Sequence, residues 1–83
     1  MSTKEIQKVI LEMATDRGAE KTICPSEVAR KMFGASWREH MQTVRDIAFD
    51  LASDNQVIIM QKGQKVDPKE IKGPIRIRIK TSK

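Results

Sequence analysis

The segment GPIRIRIK, residues 73–80, alternates isoleucine with a cation three times behind a Gly-Pro break. Successive side chains of a strand point to opposite faces, so Ile75, Ile77 and Ile79 form one row and Arg76, Arg78 and Lys80 the other. A strand of this kind needs something apolar beneath it and leaves its charges in water. The rest of the chain has to supply the apolar layer.

Three helices are predicted to do so. Over 3–17, Ser2 or Thr3 caps the first, Glu5 completes a capping box with Ser2, and Ile6, Val9, Ile10 and Met13 recur at the spacing of one buried face. Gly18 ends it. The second covers 25–33, with Pro25 at its first position, Glu27 in its acidic first turn, an apolar stripe of Val28, Ala29, Met32 and Phe33, and Gly34 as its stop.

Ser36 and Glu39 form another S-x-x-E pattern two residues after Gly34, which predicts a third helix over 37–53 directly after a tight turn. A glycine-bearing turn between two helices is the helix-turn-helix signature, whose second helix is the candidate groove reader. On a wheel at about 100° per residue, Trp37, Met41, Val44, Ala48 and Leu51 face the core, with Ile47 and His40 at its margin. Arg38, Gln42, Arg45 and Phe49 make one outer ridge, and Glu39, Thr43, Asp46 and Asp50 make the ridge beside it.

Ser53-Asp54-Asn55 stops the third helix, and VIIMQ then reads as a strand over about 57–62, pairing with a second over 74–80. Between them GQKVDPKEIKG, bounded by Gly63 and Gly73, is a long hairpin loop in which Asp67-Pro68 caps a short turn. The expected fold is mainly α with a small β-hairpin, an α+β winged helix-turn-helix domain spanning residues 1–83 with three helices followed by a two-stranded wing. Such a length is near the lower limit for folding on one core without metal or disulfide.

Charge is distributed as unevenly as hydrophobicity. Lys62 to Lys83 carry eight basic and two acidic residues, a balance of +6, whereas residues 1–61 balance at −1. A local field of this size predicts a polyanionic partner such as nucleic acid, against the simpler reading of a solvated face kept cationic for solubility. The predicted contacts are Arg38, Gln42 and Arg45 on helix three, with Lys62, Lys65 and Lys72 flanking the wing loop and Arg76, Arg78 and Lys80 along its outer face. Arg grips guanine and Gln adenine through paired hydrogen bonds, and the wing cations suit phosphate. Each has an alternative: a solvent-facing helix residue for the first three, and for the strand cations protection of an exposed sheet edge against pairing. Phe49 is either a stacking platform or packing against the hairpin. The alternative function is a protein-interaction module, self-association included, that uses the wing and the acidic ridge Glu39, Asp46 and Asp50.

Catalysis is not indicated. Cys24, the one cysteine, stands at a helix N-terminus that favours thiolate, yet only His40 is available to partner it, so a buried cap is the better reading. One thiol and one imidazole fall short of the four ligands of a structural zinc site, no phosphate loop is present, and no cofactor is expected. A single cysteine, an N-terminus MSTKEIQK without the apolar run of a signal peptide, and no stretch near the roughly 18 apolar residues of a membrane span predict a cytoplasmic protein.

The motifs taken in order, CPSEVAR, WRE, VR, QKG, VDP and GPIRIRI, resemble the small bacterial proteins of domain-of-unknown-function family 3253, from about Ile6 to Lys80. The matching positions are Cys24 to Arg30, Trp37, Arg38, Arg45, Gln61 to Gly63, Val66 to Pro68, and Gly73 to Arg76. Ile59-Met60 departs from it, since the resemblance leads one to expect a smaller aliphatic residue before QKG. The resemblance implies a compact winged-helix-type domain and brings no active site with it. Pro25, Glu27, Gly63, Gly73 and Asp67-Pro68 read as structural, and Arg76 is expected to be held by Asp67 or Glu70, tying the long loop to the strand.

Overall fold

The alternating segment does become a strand. In the structure, a computed structural model that describes residues 3–66 and 73–80, helices cover one face of a small antiparallel sheet. In chain order these are α1 (Thr3–Arg17), α2 (Pro25–Phe33), a 3-10 helix (Gly34–His40), α3 (Met41–Ser53), β1 (Val57–Gln61), β2 (Gln64–Lys65) and β3 (Arg76–Ile79). The sheet order is β2-β1-β3. β3 runs antiparallel to β1 with Val57 opposite Ile79, Ile58 opposite Arg78, Ile59 opposite Ile77 and Met60 opposite Arg76.

Ile77 is also bridged on its other side. Its N–H donates to the carbonyl of Ile23 at 2.7 Å, and the Ile23 N–H donates back at 2.8 Å. Ile23, Ile77 and Ile59 therefore stand side by side across the sheet, at 0%, 0% and 1% exposure. Ile6, Ile10 and Ala14 of α1, Val28 and Ala29 of α2, and Val44, Ile47, Ala48 and Leu51 of α3 join them in one apolar cluster. Of the three alternating isoleucines, Ile75 and Ile77 are buried and Ile79 is half-buried at the end of the row.

Local sequence explains most element ends. The Gly18 N–H bonds the Ala14 and Thr15 carbonyls, and φ of +114° there suits only glycine comfortably. Cys24 precedes α2 in an extended conformation, and Glu27 reaches back to accept its N–H at 2.7 Å. α3 ends where Asn55 turns left-handed, and Gln56 N–H bonds the Leu51 carbonyl at 2.9 Å. The predicted Ser2 cap and the Asp67-Pro68 turn lie outside the described residues.

Two expectations are corrected. Helix three does not run over 37–53: residues 34–40 wind as a 3-10 helix, and no side-chain cap bond is made at its start or at the start of α3. In a 3-10 helix residues three apart eclipse, so Trp37 and His40 lie on one side. Both turn back to α2, where His40 stacks on Phe33 at 3.7 Å and 15° and Trp37 lies beneath Arg30. A continuous α-helix would fan these rings apart. Ile47, expected at the margin, is a core residue at 5% exposure.

The wing is not two strands joined by a long loop. The chain turns back at once: Gln61 pairs with Gln64 across Lys62-Gly63, whose φ values of +51° and +79° are those of a tight two-residue hairpin with both central residues left-handed. The Val66 N–H extends this pairing to the Ile59 carbonyl at 3.0 Å. The chain then crosses to the far side of β1 to form β3.

A polar knot fastens the junction of α1, α2 and β3. Arg17 donates to the Thr22 carbonyl at 2.8 Å and ion-pairs with Glu27. Arg76 reaches the same residue, its Nε to Thr22 Oγ1 at 2.9 Å, so Thr22 is its partner among the described residues. Burial alone would push the Glu27 carboxyl up in pKa, but the Arg17 and Cys24 hydrogen bonds and the charges of Arg17 and Arg76 outweigh it and hold it below the ordinary 4.5.

Two outcomes follow from this packing. Ile77→Ala should cost about 2–5 kcal/mol in urea denaturation, Ile79→Ala markedly less, and Arg78→Ala within about 0.5 kcal/mol of zero; equal losses for the two isoleucines would contradict the burial just described. For Glu27, a folded-state pKa below the unfolded one means its stabilisation is complete above the unfolded value and lost as pH falls through the folded value. Between about pH 6 and pH 3 the urea midpoint of the wild type should therefore fall more steeply than that of Glu27→Gln, and parallel profiles would show no such linkage.

Candidate nucleic-acid interface

With the isoleucines turned inward, the other face of the sheet points away from the helices. The strand register places Lys65 and Arg76 on either side of Met60, and Arg78 opposite Ile58. Lys80 follows on the same side, its N–H bonded to the Gln56 carbonyl and its Nζ 3.4 Å from Asn55 Oδ1. Lys65, Arg76 and Lys80 are exposed and Arg78 is half-buried. The base between them is apolar: Met60 is 8% exposed yet belongs to no part of the helical core, and Ile58 is half-buried.

None of these cations is neutralised by an acid among the described residues, where the one ion pair is Arg17–Glu27. Thr22 and Asn55 orient Arg76 and Lys80 without cancelling their charge. Lys62 extends the surface from the tight turn, where it is exposed at a left-handed position. Lys72, also expected here, lies outside the described residues.

Lys62 and Arg76 meet again at a surface cleft of about 470 Å³, lined further by Cys24, Gln61, Pro74 and Ile75. The Gln61 amide closes one side by donating to the Pro74 carbonyl at 2.9 Å. Cys24 is half-buried, and its Sγ accepts from Ser26 Oγ at 3.1 Å. The cleft forms because the antiparallel pairing of β1 with β3, with Met60 opposite Arg76, brings residues 61 and 62 beside residues 74–76, next to Cys24. Among the described residues no group of three or more His, Cys, Asp or Glu side chains could hold a metal ion, and no helix is long and apolar enough to cross a membrane.

The three helix-three candidates are not assembled into one ridge. Arg45 is half-buried and reaches to exposed Gly73, donating to its carbonyl at 2.7 Å with its guanidinium carbon 5.5 Å from the Phe49 ring centroid. It braces the approach to β3. Phe49 is half-buried and packed against the core cluster, beneath the Arg45 guanidinium. Gln42 donates to Asp46 Oδ1 at 2.8 Å, one turn along the helix. Arg38 belongs to the 3-10 helix and lies over Trp37 at 4.6 Å from the ring centroid. What α3 shows to solvent is Gln42, Thr43, Asp46 and Asp50, a surface that is acidic rather than basic.

The molecule thus carries an open cationic sheet face and, on α3, carboxylates that would repel phosphate. A search of curated proteins matched no relative. A family model does match, over residues 3–80, nearly the whole of the chain just described, and the chain belongs to the family described as proteins of unknown function, DUF3253.

Proposed function

We propose that this chain is a winged helix-turn-helix domain of the cytoplasm that binds nucleic acid through the phosphate backbone, with the sheet as its contact surface and α3 standing off from the groove. The observation that carries this reading is the outer sheet face, on which Lys65, Arg76, Arg78 and Lys80 have no acidic partner among the described residues. Cations held on a rigid sheet lose little entropy on meeting phosphates, and each phosphate engaged releases counterions.

Backbone contact and base reading make different demands. A helix that reads bases presents donors aimed outward and no carboxylates at the groove wall. On α3 the arginine is spent on a backbone carbonyl and the glutamine on an aspartate, leaving Asp46 and Asp50 exposed. The proposed binding is therefore insensitive to sequence. The acidic α3 surface also favours a second reading, a protein partner or second copy with a basic patch, which would bind without nucleic acid.

Titration against a duplex oligonucleotide at two salt concentrations separates these. Binding at low salt should weaken on salt addition with a slope of about −0.9 per phosphate engaged, up to about −4.5 if Lys62 joins the four strand cations. Lys65→Ala with Arg78→Ala should reduce that slope by about 2 and weaken all sequences alike, while Gln42→Ala should leave sequence preference unchanged. Absence of binding at low salt would overturn the reading in favour of the protein partner.

A further inference from the structure

A second cationic feature lies away from the sheet, at the 3-10 helix. The Arg30 guanidinium carbon is 4.4 Å from the Trp37 ring centroid and that of Arg38 is 4.6 Å from the same centroid. The two like charges are therefore no more than about 9 Å apart. Both side chains are exposed, and neither has a carboxylate or a hydrogen-bond acceptor among the described residues. The Phe33–His40 stack fixes the ends of the same segment, and half-buried Trp37 is itself packed against the core.

The dipole of α2 accounts for cations in its last turn, where Arg30 and Lys31 stand. It does not account for a second guanidinium brought by the 3-10 helix to the same ring. Stacking occupies the flat face of a guanidinium, while its five N–H donors lie in the plane and stay free. Two guanidinium groups within about 5 Å of one indole centroid, and without an acceptor among the described residues, thus keep their donors available. An oxyanion bonded by both would offset the repulsion of two like charges no more than about 9 Å apart.

We propose that Arg30, Trp37 and Arg38 form a binding site for a phosphate oxyanion, taken from a phosphodiester backbone or a free polyphosphate. The site uses none of the sheet residues and stands whether or not the sheet binds nucleic acid. Trp37 is the sole tryptophan and there is no tyrosine, so its emission reports on this site alone.

Titration of the full chain with inorganic tripolyphosphate, against sodium chloride at matched ionic strength, should shift Trp37 emission saturably. Arg30→Gln with Arg38→Gln should weaken the apparent affinity by at least about tenfold, whereas Lys65→Ala with Arg78→Ala should leave it within about twofold. Arg30→Lys with Arg38→Lys keeps the charge but loses the planar fork, and should recover only a minor part of the loss. Far-UV circular dichroism checks that each variant folds, and Arg38→Gln alone, at an exposed position, serves if the double variant does not. A duplex oligonucleotide that moves the emission of the sheet variant identifies nucleic acid as the source of phosphate, and a response to tripolyphosphate alone identifies free polyphosphate. Emission that follows ionic strength only, or glutamine and lysine variants that titrate like the wild type, would overturn the proposal.

Discussion

Ile77 is clamped between two neighbours. Its side chain stands between Ile23 and Ile59 and its backbone exchanges two hydrogen bonds with Ile23, so the link between α1 and α2 is locked to the C-terminal strand. Burying three isoleucines in one row stabilises by several kcal/mol, on the order of 2 kcal/mol for each side chain. The same contact dictates polarity: once Ile77 faces the helices, Arg76 and Arg78 must face away. Core packing and surface charge are one constraint seen from two sides of a strand.

From that constraint the polar knot gains its purpose. Thr22 precedes Ile23, and its carbonyl accepts from both Arg17 and Arg76. An exposed arginine of the sheet face is thereby tied to the residue beside the clamp by two exposed hydrogen bonds to neutral acceptors. Glu27 gathers Arg17 at the start of α2, so two cations and one carboxylate meet where α1, α2 and β3 converge. The balance there stays positive.

How far the sequence revealed this depends on the range of the determining interaction. Strand polarity was legible in GPIRIRIK because it needs only alternation, and α1 and α2 were legible because their caps and stripes are local. The 3-10 helix was not, since Ser36 and Glu39 form a plausible capping box and only the return of Trp37 and His40 to α2 overrides it. Nor was β2, because Lys62-Gly63 lacks the Asn or Asp that ordinarily marks a tight hairpin and the glycine was read as the edge of a loop. The sheet face was legible from alternation and charge together, whereas the meeting of Arg30 with Trp37 had no signal in the sequence and Arg45 was assigned to an outer ridge when its partner is 28 residues away.

The arginines show why residue type is a poor guide to function in a chain this small. Among the described residues Arg17 is the one arginine paired with a carboxylate, Glu27; Arg45 is pinned to the Gly73 carbonyl and Arg76 to Thr22, and both keep their charge, as do Arg30, Arg38 and Arg78. Arg30 and Arg38 share an indole and Arg76 and Arg78 share a strand, and the supports found for them, Trp37 and Thr22, are neutral. A neutral support is the feature that matters, since a carboxylate in its place would fix the side chain equally well but cancel the field that draws an anion. By the same logic the exposed carboxylates Asp46 and Asp50, with Arg45 drawn to the Gly73 carbonyl, set α3 apart from the cationic faces. The fold therefore decides which faces present uncancelled positive charge through what it places beside each cation, more than through how many cations it has.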